Sequence, residues 1–118
     1  MARSVFTFNS PLAQQQVFDT FMNYFQSEGF AYHVEDGEQC LKKGVGVATA
    51  PQFVTITAQN GVYTLAAWVK FAVVPGAYVH DMDLTGFTGS IPKGQLKKRV
   101  NNYLRYVQAQ NLRVQTIN

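Results

Sequence analysis

The chain has a single cysteine, Cys40, so no disulfide can form within it. A reducing compartment, or one where redox state is of no consequence, is therefore expected. Cys40 stands in the strand-like segment QCLKK, with no helix N-terminus or paired histidine in sequence reach, and reads as an inert packed thiol. The opening MARSVFTFNSP has no apolar run long enough for the core of a signal peptide, and no segment nears the roughly 18 apolar residues of a membrane span. A soluble, cytoplasmic protein without a membrane span is expected. Repeats, low-complexity tracts and linkers are also missing, so residues 1–118 read as a single domain. A chain of that size buries roughly two-thirds of its unfolded surface and needs neither disulfide nor metal to fold.

Acidic residues are missing from the last third. Up to Asp83 the chain carries four basic and seven acidic residues; beyond it come Lys93, Lys97, Lys98, Arg99, Arg105 and Arg113 with no acid. Such asymmetry suits an anionic partner, whether nucleic acid, lipid headgroup or an acidic patch on a protein, and equally a solvated helix face.

What is present is a clear alternation of periods. SVFTF reads as a short strand. Ser10 is placed to cap a helix with Pro11 at its first position, Leu12, Val17, Phe18, Phe21, Met22 and Phe25 recur on its core side, and Gly29 ends it. FAYHV and EQCLKK flank Glu35-Asp36-Gly37, and PQFVTITAQ and GVYTLAAWVKFAV flank Asn60-Gly61. Both pairs are predicted hairpins. The glycine-containing stretch 44–50 reads as a connection, and AYVHDMDL adds an optional short strand after Pro75-Gly76. A second helix is predicted from near Pro92 to about Asn111, with Leu96, Val100, Tyr103, Leu104 and Val107 inward. LRVQTIN reads as an edge strand or an unstructured tail.

The order β-α-β-β-β-β-α predicts an α+β fold: an antiparallel sheet of about five strands with two helices on one face. In the long strand Tyr63, Leu65, Ala67, Val69, Phe71 and Val73 face the helices, whereas Thr64, Trp68 and Lys70 take the second face. That face is expected to be open in a monomer.

From Ala66 to Val100 the chain carries Trp68 and Lys70 in a strand, a Pro75-Gly76 break, Tyr78, then Gly86, Phe87 and Gly89 ahead of Pro92-Lys93. Asp81 stands where an acid, usually Glu, would fall. This pattern resembles a family of small bacterial α+β proteins, which implies the fold and a bacterial source but no activity. The element order is similar to that of the TATA-binding-protein-like superfamily, a likeness of topology that carries no function.

Catalytic and cofactor signals are thin. Asp81 and Asp83 share a strand face beside His80 but offer too few oxygens for a calcium or magnesium site. The run Gly89 to Gly94 has the glycines of a phosphate loop but lacks its Lys and Ser/Thr, since Gln95 and Leu96 follow. Backbone N–H groups beside Lys93 and Lys97 at a helix start remain a candidate anion site, extended along the helix by Lys98 and Arg105. Lys42-Lys43-Gly44 lacks the dinucleotide fingerprint, and His33 and His80 have no nucleophile or acid at a recognised spacing. No enzyme, cofactor or metal is expected.

Trp68 and Lys70, with Lys42 and Tyr78, form the candidate ligand or partner face. Bases stack on such rings while Lys meets phosphate. An apolar patch of Val62, Ala66, Trp68 and Ala72 would equally suit the apposed faces of a homo-oligomer. A non-enzymatic binding or interaction domain that self-associates through this face is the leading reading. A nucleic-acid-binding module using the face and the basic last helix is the alternative, as is a small-molecule or lipid pocket.

Overall fold

The computed structural model describes residues 3–44, 50–74, 77–84 and 90–117, with backbone alone for 71–74, 77–82 and 90–92. Its elements are β1 (Arg3–Asn9), α1 (Gln14–Ser27), β2 (Ala31–Glu35), β3 (Glu38–Lys43), β4 (Gln52–Gln59), β5 (Val62–Val74), β6 (Ala77–Met82), α2 (Ser90–Tyr106) and β7 (Gln110–Ile117). The α+β class and the antiparallel sheet are as expected; the optional strand is β6 and the undecided tail is β7. The connection at 45–49, the Pro75-Gly76 break and the loop residues Gly86, Phe87 and Gly89 lie outside the described residues.

Strands follow the order β2-β3-β4-β5-β1-β7, with β6 also on β5. Val69 pairs with Gln52 of β4 and with Met82 of β6, so β6 lies on the β1 side of β5 and continues the line of β1. The junction is closed by the Leu84 amide donating to Ser4 Oγ at 3.0 Å. Both predicted hairpin turns form. Asp36 and Gly37, and Asn60 and Gly61, all take positive φ, the left-handed pair that a two-residue turn between right-twisted strands requires.

Helix ends were the least legible points. Gly29, at φ 94°, ends α1 as expected, with Gly29 N–H donating to the Gln26 carbonyl and Phe30 N–H to that of Phe25, and the Phe25 and Phe30 rings in contact at 5.2 Å. The start differs: the helix begins at Gln14 after an extended Ala13. Ser10 Oγ accepts from the Leu12 amide and donates to the Val107 carbonyl at 2.5 Å, tying the entry of α1 to the exit of α2 rather than capping a helix. The second helix stops at Tyr106, short of Asn111. Gln108 takes the left-handed position at φ 54° and completes the same two-bond stop with Arg105 and Leu104, without the glycine that usually announces it.

Both helices cover one face. Val17, Phe21 and Phe25 of α1 and Leu96, Val100, Tyr103 and Leu104 of α2 share a core with Phe6, Phe8, Val54, Leu65, Ala67 and Val69 of the sheet. Tyr103 Oη donates to the Val17 carbonyl at 3.0 Å and joins the helices. Met22, expected in the core, is instead exposed.

The β2–β3 hairpin does not lie flat in the sheet. Its ladder with β4 covers only Leu41↔Val54, Lys42↔Phe53 and Lys43↔Gln52, whereas β4 pairs with β5 along its whole length. The Lys70 amide bonds the Pro51 carbonyl, so Lys70 lies beyond the Lys43 end of β3. Its ammonium nevertheless reaches Asp36 in the hairpin turn at 3.1 Å. On a flat sheet Asp36 would run roughly 20 Å from Lys42 in the other direction. The hairpin therefore curls across the second face.

Candidate functional site

The second face of the sheet is where the sequence placed a binding surface, and the register builds it directly. Trp68 stands opposite Phe53, and Phe53 opposite Lys42. The two rings stack with centroids 5.5 Å apart and planes 5° from parallel. Ser4 pairs with Ala67, which brings Arg3 beside Trp68; its guanidinium lies 3.6 Å from the indole centroid. From there it holds Glu38 through two nitrogens, at 2.9 and 2.8 Å. Lys70 reaches Glu35 as well as Asp36 and stands 5.8 Å from the Phe53 ring, with Lys42 at 6.0 Å. His33 Nε2 meets Glu35 Oε1 at 2.6 Å.

The expectation of an open face is overturned at its centre. Trp68 is 1% exposed and Lys70 5%. With Cys40 and Phe53 the indole forms a second, small core. The hairpin that curls over this face carries three acids, Glu35, Asp36 and Glu38, and two cations beneath it, Arg3 and Lys70, hold them. Trp68 Nε1 is buried and finds no hydrogen-bond acceptor among the described residues. Such a donor costs stability that a purely apolar ring would not. Of the other proposed face residues, Lys42 is partly buried beside Phe53, and Tyr78 lies on β6 opposite Ala72, its side chain outside the described residues.

The basic helix does not gather its charges into one site. Lys93 is buried on the inward side of α2, whereas Lys97, Lys98 and Arg105 are exposed. Residues 98 and 105, two turns apart, share a line on the outer surface, and 97 lies about 100° from it. Arg105 is bonded to Asn102 at 2.5 Å. Arg99, part of the basic run but not of the candidate anion site, bridges the end of α1 and β4 through Glu28 at 3.2 Å and Gln52 at 3.0 Å.

Asp83 accepts a hydrogen bond from Thr116 at 2.8 Å; the side chains of His80 and Asp81 lie outside the described residues. Among the described residues no three of His, Cys, Asp and Glu converge to hold a metal, and no helix is long and apolar enough to cross a membrane.

Sequence reasoning missed an exposed apolar strand. All eight residues of β7 are exposed, including Leu112 at 45%, Val114 at 58% and Ile117 at 48%. Phe6 faces the helices and pairs with Val114, so Leu112 and Val114 belong to the helix side of the sheet. The helices, however, sit over β4 and β5. The alternation of LRVQTIN was the available signal, but it could not say whether anything lay on top.

Comparison of the chain with protein-family models, with curated proteins and with solved structures finds no match.

Proposed function

We propose that the chain is a non-enzymatic interaction domain that self-associates, and that the contact is made by the edge of β7 rather than by the Trp68 face. The observation that supports this is a terminal strand of eight residues, exposed throughout and bearing Leu112 and Val114 on one side. Long apolar edges template pairing with another chain unless prolines, charges or bulges blunt them. Here Arg113 is the only charge on the strand and there is no proline, and the register shift against β1, with Asn111 at φ 54°, falls at the Gln110 end, outside the Leu112–Thr116 segment that would pair.

A second copy fits the edge by symmetry. With two β7 strands antiparallel about Val114, Val114 meets its own equivalent, Leu112 meets Thr116, and Arg113 meets Gln115. No like charges face each other, and the pleat keeps helix-side residues on one side.

The experiment is molar mass by light scattering across a concentration series, on wild type and Val114→Lys. A concentration-dependent dimer that the variant reduces to monomer, with unchanged thermal stability, is the expected result. A wild type that stays monomeric at the highest soluble concentration, or a variant that dimerises equally, refutes the reading.

A further inference from the structure

Past the Leu41↔Val54 pair the curling hairpin leaves β4, and the space between is a cavity of about 610 Å³. Phe21 of α1 lies at its floor, Val54 and Ile56 along its wall, and Met22 and Tyr32 at its mouth. The two rim residues are apolar yet open to water, Tyr32 at 60% and Met22 at 37%. The volume falls within the ~300–1,000 Å³ of small-molecule sites, which are apolar cavities with a few placed polar groups.

Those polar groups are identifiable. The Pro51 carbonyl accepts from Lys70 of β5, and N–H and C=O directions alternate along a strand. Val54 and Ile56 therefore direct theirs toward β3. Because the ladder ends at Val54, the Ile56 N–H and C=O face the cavity beyond the last pair. They can serve one donor or acceptor on a guest.

Charge narrows the guest further. Among the described residues no Lys, Arg or His lines the cavity, and the one carboxylate there, Glu38, is held by two nitrogens of Arg3. An anionic headgroup would meet that carboxylate with no counter-charge, and a cation would have to displace Arg3. Only an uncharged molecule enters without an uncompensated charge.

We propose that this cavity binds an uncharged, largely apolar small molecule carrying one or two hydrogen-bonding groups. The site lies between β3 and β4, at the opposite end of the sheet from β7, and does not depend on self-association.

The test titrates the full chain with the neutral fluorophore N-phenylnaphthylamine. Saturable binding at one site per chain is expected, weakened roughly tenfold or more by Ile56→Trp, which fills the cavity, and by Met22→Glu, which charges its rim. Val114→Lys leaves the affinity unchanged. Decanol displaces the probe, whereas decanoate at neutral pH does so poorly. Met22 is exposed, so its variant carries the test should Ile56→Trp fail to fold. No saturable binding, or equal affinity in wild type and every folded cavity variant, overturns the site. Equal displacement by decanoate overturns the uncharged class.

Discussion

Trp68 marks what a residue's own strand can and cannot say. Alternation placed it on the second face, where it stacks on Phe53. Its cover, however, comes from Arg3 on β1 and Glu38 on β3, and no local pattern announces a partner that far away in sequence. The expected cost of Trp68→Ala is accordingly that of a core aromatic, ~3–5 kcal/mol, read from the urea midpoint; a loss within ~0.5 kcal/mol, as at a surface site, would show that the indole is not sealed. Cys40 was legible as a buried thiol, and burial, helped by Glu38 and Glu35, pushes its pKa from 9.0 up to about 11. The folded state therefore keeps a proton that the unfolded chain releases first. Stability from this group is complete below about pH 9 and declines as pH rises toward 11. Cys40→Val should remove that part of the slope, measured as the difference in unfolding free energy between the two proteins across the range. An identical slope in the variant would assign the decline to other groups.

The elements were readable wherever a special backbone position coincides with a residue that favours it. Asp36-Gly37 and Asn60-Gly61 announce their turns, and Gly29 its helix end. Gln108 does the work of a glycine without being one, so α2 was drawn too long. Ser10 has the chemistry of a cap but spends its hydroxyl on Val107, a contact that only the packed helices create. The curl of the β2–β3 hairpin lay outside any local signal, because it depends on Lys70 and Arg3 gripping the turn. It makes a sharp prediction for amide exchange along β4. Val54 is bonded to β3, and Thr55 and Thr57 are directed at β5. Ile56, between them, lies past the end of the ladder. Its amide should exchange much faster than its neighbours on either side, as followed residue by residue by NMR. Uniform protection from Val54 to Thr57 would mean that β3 and β4 are zipped and the cavity closed.

At the scale of the whole molecule the sheet has two unlike ends: β2 curls over its own face, whereas β7 stands bare. Charge gives that second end a testable signature. Beyond Asp83 every charged side chain is basic, and strand pairing about β7 would put the α2 helices of two chains on the same side of one continuous sheet. Moderate salt screens their repulsion, so the dimer should strengthen as salt rises from low levels in the light-scattering series. Binding to a polyanion through Lys97, Lys98 and Arg105 would weaken under the same change. The β1–β7 register has a kinetic side as well. Phe6 pairs with Val114, so the contact that completes the sheet also closes a loop of nearly the full chain, the kind of non-local pairing that forms late. Until it forms, β1 is an edge waiting for a strand, and the β7 of a neighbouring chain offers it the same side chains in the same order. Finishing one molecule and exchanging strands between two would then compete at a single step, and refolding at rising concentration, followed by molar mass, should show a growing dimer fraction if they do.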